Sequence, residues 1–234
     1  MMTQDIINVA ETFYSVQGEG LFTGTPSVFL RLQSCNLNCT WCDTTEVWRR
    51  GTPMHFDDLY NLWYDNGWID LLENRKCHLV ITGGEPILRQ TEVLAFLESQ
   101  FHGRPWIEIE TNATLLPSQM FNSWVHQYNC SPKLSNSGMA KEKRHIQSTI
   151  EWHATNRRSV FKFVVRTEQD VIDAETEYIT PYGIPNDRVY LMPQCQTKKE
   201  LDEWQLPVVE LCKKFGYNYS NRLHIQLWNR TTGV

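Results

Sequence analysis

Three cysteines fall within eight residues, in the stretch Cys35-Asn-Leu-Asn-Cys39-Thr-Trp-Cys42. Thiolates spaced that tightly serve a metal, a redox reaction or chance. A structural zinc site takes four ligands, usually two pairs from separated segments. No second CxxC or HxxxH pair exists in the chain, although His55 or His78 could supply a fourth ligand, so zinc stays an alternative. A redox CxxC would employ Cys39 and Cys42 and leave Cys35 idle. Cubane clusters that only transfer electrons take four protein ligands. Three thiolates at x3 and x2 spacing instead hold three irons of a [4Fe–4S] cube and leave the fourth iron open to a chelating small molecule. The remaining cysteines, Cys77, Cys130, Cys195 and Cys212, stand alone in apolar surroundings and read as small buried hydrophobes. Seven cysteines, an odd number without an export signal, argue against a disulfide framework.

A second stretch with chemical capacity is Val80-Ile-Thr82-Gly83-Gly84-Glu85-Pro86. Paired glycines let backbone approach a ligand where a Cβ would clash. Glu85 and the exposed backbone groups suit the ammonium and carboxylate of an amino acid, and an ordinary β-turn is the plain alternative. Arg31 lies in the apolar run Val-Phe-Leu-Arg-Leu, where an unpaired cation is expensive, so a bound anion or an acidic side chain must lie nearby. Its guanidinium is the natural fork for a carboxylate.

Strand-like runs recur at Ser27–Leu32, His78–Thr82, Trp106–Glu110, Val160–Val165, Arg188–Met192 and Leu223–Trp228. Between them lie helix-like stretches: Phe56 to Leu72, interrupted by Gly67, then Thr91–Gln100, Lys141–His153, Glu168–Tyr178, and Lys198–Phe215, interrupted by Pro207. Such alternation predicts an α/β fold of βαβ units. About six mostly parallel strands suggest an incomplete βα barrel whose site lies at the C-terminal ends of the strands. Both the cysteine stretch and the Gly-Gly-Glu stretch follow such ends.

Composition narrows the class. Hydrophobic residues are 41% and charged residues 21%, with 12 Gly and 10 Pro, which leaves no room for long linkers. The expectation is one domain over residues 1–234. No run of ~18 apolar residues is present, and the opening residues lack a secretory pattern, so a soluble cytoplasmic protein is expected. With 22 Lys plus Arg against 27 Asp plus Glu, the net charge of −5 disfavours nucleic acid as a partner. Lys141 to Arg158 carries five basic and two acidic residues, which reads as a solvated helix face.

The cysteine spacing, with Trp41 just before the last cysteine, resembles the radical S-adenosylmethionine enzymes, and Thr82-Gly-Gly-Glu-Pro, 40 residues after Cys42, strengthens the likeness. Further segments are Phe13-Tyr-Ser-Val16-Gln17-Gly18-Glu19-Gly20, Cys42-Asp43-Thr44, Ile109-Glu110-Thr111-Asn112, Ser131-Pro132-Lys133-Leu134 and a tail with His224, Trp228 and Val234. Together they are similar to the 7-carboxy-7-deazaguanine synthase family, from about residue 10 onward.

That resemblance implies a lyase that contracts the ring of 6-carboxy-5,6,7,8-tetrahydropterin with loss of ammonia, started by a 5′-deoxyadenosyl radical. It implies a [4Fe–4S] cluster on Cys35, Cys39 and Cys42, S-adenosylmethionine, an external one-electron reductant and a homodimer. Trp41, Asp43, Gly84, Glu85, Ser131, Pro132 and Lys133 would contact S-adenosylmethionine. Val16, Gln17, Gly18 and Val234 would contact the substrate, with Arg31 and Thr82 at its reacting end. Thr44 resembles a Mg²⁺ ligand, against the plain alternative of a helix N-cap. Two departures stand out: Leu191-Met192-Pro193-Gln194-Cys195 lacks the family's Gln-Pro pair, and Asn229 follows Trp228 where glycine is usual. An activating enzyme for a glycyl-radical protein shares the cysteine spacing, and a zinc-stabilised binding module is the rival from another class.

Overall fold

The computed structural model describes residues 5–234. Strands β1 (Ile6–Val16) and β2 (Pro26–Leu32) pair antiparallel, and β3 (Thr52–His55) pairs antiparallel with the start of β1. From β2 onward every pairing is parallel, through β4 (His78–Gly83), β5 (Trp106–Thr111), β6 (Gln127–Cys130), β7 (Ser159–Val165), β8 (Val189–Pro193) and β9 (Asn218–Tyr219). The sheet order is β3-β1-β2-β4-β5-β6-β7-β8-β9. Helices α1 (Thr45–Trp48), α2 (Phe56–Asp65), α3 (Trp68–Glu73), α4 (Gln90–Gln100), α5 (Gln119–Trp124), α6 (Lys141–Arg144), α7 (Gln147–Thr155), α8 (Glu168–Ala174), α9 (Thr180–Tyr182), α10 (Lys198–Phe215) and α11 (Leu223–Trp228) occupy the connections.

Alternation along each strand divides the sheet into two unlike faces. Val28, Leu30, Leu32, Leu79, Ile81, Ile107, Ile109, Phe161, Phe163, Val165 and Leu191 point toward the helices and form the main apolar core with Trp63, Phe96, Phe121 and Tyr178. The intervening positions carry Arg31, Thr82, Glu108, Glu110, Asn129 and Lys162. Parallel sheets normally bury apolar residues on both faces, so this polar face marks the working side. Its two flanks meet: Gln196, after β8, donates from Nε2 to the Trp41 carbonyl at 3.1 Å, and Arg222, after β9, pairs with Asp43. The sheet therefore curls into an incomplete βα barrel whose outer strands, β3 and β9, do not pair with each other.

The parallel part has seven strands rather than the six of the sequence reading, and one expected strand is replaced. Leu223–Trp228 is helix α11, not a strand. Its apolar–polar alternation mimics a strand, but its Leu223 N–H goes to the Gly18 carbonyl and its Gln226 N–H to Arg222, so no ladder can form. The short strand β6 fills the missing place. The stretch from Phe56 breaks at Gly67, where φ is +73°, and Lys141–His153 breaks at His145–Ile146 into α6 and α7. Arg144 in that basic segment is 3% exposed, so the segment is not simply a solvated face. The stretch from Glu168 ends its α-helix at Ala174 and continues as a π-helical turn, Glu175–Ile179. By contrast α10 runs through Pro207 unbroken, because the Glu203 carbonyl that loses its donor is in an exposed turn.

No helix among the described residues is long and apolar enough to cross a membrane. The longest, α10, begins with a capping box: Thr197 Oγ1 accepts from the Glu200 N–H at 3.2 Å, and Glu200 Oε2 accepts from the Thr197 N–H at 3.1 Å. Removing one half of that exchange should cost about 1 kcal/mol. Thr197→Ala is therefore expected to lower the urea midpoint with the slope unchanged, and an unmoved midpoint would show that Glu200 caps the helix alone.

Candidate active site

The cysteine stretch leaves the C-terminal end of β2 and lies against the loop after β4. The Glu85 N–H donates to the Ser34 carbonyl at 2.9 Å, and the Gly84 N–H to the Leu32 carbonyl at 3.3 Å. A Cβ on Gly84 would sit 2.2 Å from the Ser34 oxygen and 2.6 Å from the Cys35 Cβ, so only glycine permits this approach. Glu85 does not reach the cavity, contrary to its expected contact with S-adenosylmethionine. Its side chain is fully buried, where Oε1 accepts from the Ile87 N–H at 3.1 Å and Thr111 Oγ1 at 2.8 Å, and Oε2 from the Asn112 N–H at 2.7 Å. Burial pushes its carboxyl up to about 7 despite these donors. Glu85 thus ties the end of β5 to the Gly-Gly turn.

Cys35, Cys39 and Cys42 are all free, partly buried and open to one cavity. N–H groups already point at two sulfurs: Leu37 N lies 3.4 Å from Cys35 Sγ, and Trp48 Nε1 lies 3.5 Å from Cys42 Sγ. Burial pushes the Cys35 thiol up to about 11. It also raises Cys42, but hydrogen bonds at Thr45, Trp48 and Thr44 outweigh it and hold that thiol below its usual value. Among the described residues no three His, Cys, Asp or Glu side chains converge on a single ion. Tetrahedral zinc needs such convergence. Two of the three thiols already face N–H donors, which suits thiolates that share a cluster, each sulfur on a different iron.

The polar inner face is held by charge. Lys162, 2% exposed, donates from Nζ to Glu19 Oε2 at 2.5 Å and to Glu110 Oε2 at 3.0 Å. Arg222 donates from Nε to Glu19 Oε1 at 3.0 Å and also pairs with Asp43. Burial opposes ionisation of Glu19, but Lys162 and Arg222 outweigh it and hold the carboxyl well below the usual range. Burial wins at Glu110, which is raised. Gln17 and Asn129 each donate to both Glu108 and Glu110, at 2.9 to 3.3 Å. The hairpin loop after β1 thus reaches into the barrel from below, and a Cβ on Gly18 would collide with His224 Nδ1 at 2.3 Å.

A cavity of about 540 Å³ joins the cysteine stretch to this inner face. Val16, Gln17, Gly18, Arg31, Trp41, Asp43, Thr44, Thr82, Gly84, Ser131, Lys133 and Val234 line it together with the three cysteines, whereas Glu85 and Pro132 do not. Arg31 Nε donates to Glu11 Oε1 at 2.7 Å, which supplies the required acidic neighbour, and its terminal nitrogens have no protein acceptor among the described residues. Asp43 is engaged by Arg222 rather than free. Lys133 Nζ donates to Ser131 Oγ at 2.9 Å and stands 5.4 Å over the Trp41 ring. Thr44 occupies the N-cap position of α1, but its hydroxyl makes no capping bond. Met192, Gln194 and Cys195 also line the wall.

Sequence reasoning missed Glu19, Lys162, Arg222 and His224 as members of the site. Lys162 had a signal, a lone cation in the apolar run Val-Phe-Lys-Phe-Val-Val. Arg222 had none, because its partners are 179 and 203 residues away. In the tail, Asn229 adopts φ +56° and ψ −120°, a conformation that favours glycine, and its Oδ1 accepts from the Lys198 N–H at 2.9 Å. The asparagine therefore keeps the glycine-like turn and docks the tail onto the start of α10.

Residues 16–108 match a family model described as a 4Fe-4S single cluster domain. The chain is 32% identical to the 7-carboxy-7-deazaguanine synthase of Pyrobaculum aerophilum, with 97% of each protein covered. It is 35% identical to the synthase of Hyperthermus butylicus, over 94% of this chain and 92% of the relative. Identity to the Aquifex aeolicus synthase is 38%, over 86% and 84%. The crystal structure of QueE from Escherichia coli is similar in fold, with a TM-score of 0.65, 22% identity, and 94% and 95% of the two chains covered.

Removing the central cation tests the inner-face network. Lys162→Met leaves Glu19 and Glu110 buried with less compensation, which costs roughly 3–5 kcal/mol near neutral pH. Without Lys162 both carboxyl pKa values rise, so the folded state binds more protons than the unfolded one and the deficit shrinks as the pH falls toward 5. Urea unfolding at several pH values checks this, and a deficit that grows on acidification would contradict it.

Proposed function

The chain belongs to the 7-carboxy-7-deazaguanine synthase family, and from that premise we propose that it forms 7-carboxy-7-deazaguanine by ring contraction of 6-carboxy-5,6,7,8-tetrahydropterin with loss of ammonia. The carrying observation is one cavity lined both by the three cysteines and by Arg31, Thr82 and Gln17. When bound, a [4Fe–4S] cluster and S-adenosylmethionine supply the one-electron chemistry and the 5′-deoxyadenosyl radical that begins the reaction. The activating-enzyme and zinc-module alternatives are not favoured, since the relatives are synthases.

Cys35, Cys39 and Cys42 would hold three irons. Trp41, Asp43, Gly84, Ser131 and Lys133 would flank the S-adenosylmethionine side, while Glu85 acts through the shape of the loop it ties down. Val16, Gln17 and Gly18 would form the floor, where backbone groups would meet the pterin edge while the Gln17 amide is held by Glu108 and Glu110. The free terminal nitrogens of Arg31 would take the substrate carboxylate in a charge-assisted fork. Thr82 adds a hydroxyl beside it, Ser15 Oγ on the same wall is buried without a partner, and Val234 closes the rim. Thr44, with its hydroxyl uncommitted to a cap, is our proposed protein ligand for Mg²⁺, an ion that takes few protein oxygens and shares the rest with water and substrate. We extend the proposal to a single-domain, cytoplasmic homodimer fed by an external one-electron reductant, a setting in which seven free cysteines stay reduced.

Anaerobically reconstituted protein with a reductant, S-adenosylmethionine and the carboxylated tetrahydropterin should yield product with no second protein. Cys39→Ala should lose iron, whereas Cys77→Ala and Cys212→Ala should retain it. A colourless protein with one zinc per chain would end the proposal. For the second metal, Thr44→Val should sharply reduce turnover and abolish its Mg²⁺ stimulation while iron content persists. Full activity of the wild-type enzyme after removal of divalent ions would refute the assignment.

A further inference from the structure

Behind the Ser131–Lys133 turn lies a buried polar cluster none of whose own side chains lines the cavity. Arg144 is 3% exposed and Tyr178 is fully buried, and both address the Lys133 carbonyl. Arg144 Nη1 donates to that oxygen at 3.0 Å, and Tyr178 donates its hydroxyl to it at 2.9 Å. A carbonyl oxygen has two lone pairs, so these donors occupy both. Glu177 neutralises Arg144 in a two-point contact, with Oε1 accepting from Nη2 at 3.1 Å. Glu177 and Tyr178 are consecutive, yet both reach one guanidinium because they lie in the π-helical turn Glu175–Ile179. Such wide turns are rare and cluster at functional sites.

A buried ion pair is a poor way to fill space, since apolar residues of similar volume often do as well or better. What these groups supply is direction. Lys133 is fixed at its carbonyl by Arg144 and Tyr178, and its ammonium ends over the Trp41 ring, one residue before Cys42. Trp41 is itself held to the same segment, through Nε1 to the Asn136 carbonyl at 3.0 Å.

We propose that Arg144 and Tyr178 are positioning residues for the S-adenosylmethionine side of the cavity, acting through the Lys133 backbone to aim its ammonium. The inference rests on the proposed contact between Lys133 and that ligand. The affinity of cluster-loaded protein for S-adenosylhomocysteine, which lacks the cleavable sulfonium, reads the effect apart from turnover. Tyr178→Phe keeps the ring and removes the donor. It should weaken that affinity about fivefold, the value of one hydrogen bond, and raise the KM for S-adenosylmethionine with iron content and the KM for the pterin unchanged. Arg144→Lys keeps the charge beside Glu177 but loses the fork, and the same pattern is expected. In a Lys133→Ala background, Tyr178→Phe should add nothing. If Lys133→Ala weakens binding and neither second substitution does, or if the losses add, the inference falls while the assignment of Lys133 stands. If Lys133→Ala leaves binding unchanged, the assignment and the inference both fail.

Discussion

A parallel sheet whose concave face is polar can exist only if the buried charges satisfy one another. Here that condition is met by Lys162, which bridges Glu19 and Glu110, and by Arg222, which joins Glu19 to Asp43. These four bonds tie the hairpin loop below the barrel, the middle strands, the cysteine loop and the segment before α11 into one unit. Each ion is expensive to bury alone. The network therefore constrains where every cavity-lining element can sit. It also separates two jobs that a single face could not do, because the main apolar core lies on the helix side.

Above this floor the site depends on close backbone approach. The Gly83–Gly84 turn is pressed so tightly against Leu32, Ser34 and Cys35 that a methyl group on either glycine would overlap backbone oxygen. Glu85 locks that approach from behind by holding Ile87, Thr111 and Asn112. The two motifs that lie far apart in the chain thus form one mouth, and a conspicuous carboxylate serves the mouth without facing it. Lys133 repeats the pattern: its ammonium faces the cavity while its carbonyl is managed from the outer layer. Asn229 does so at the tail, where its side chain docks onto α10 and its backbone makes a turn better suited to glycine.

Much of this was legible beforehand, and the exceptions share a cause. Five of the parallel strands and the run of α10 follow from local apolar periodicity, which needs no partner to be recognised. The short β6, Gln127–Cys130, is too brief and too polar to stand out, and it is a strand because β5 and β7 offer ladders on both sides. Leu223–Trp228 has strand-like alternation but reaches no free edge, since β9 is only two residues long, and it coils into helix instead. Arg31 illustrates a half-solved case: apolar neighbours announce that an anion must be near, but only the register of β1 on β2 places Glu11 there.

From the sequence alone came the chemistry and the class of fold: cysteine spacing defines how many irons the loop can hold, paired glycines mark a close approach, and βα alternation implies a parallel sheet. These are short-range properties, written in residue types and intervals. The tertiary structure alone decided which charged groups share the cavity floor, that Glu85 and Asp43 are already engaged, and that Arg144 is buried rather than solvated. Those outcomes depend on contacts between residues 26 to 203 positions apart, as in Glu85–Thr111 and Arg222–Glu19. Such pairings are selected by the curvature of the sheet and by the cost of leaving a buried charge alone, and neither quantity is a property of any local stretch of chain.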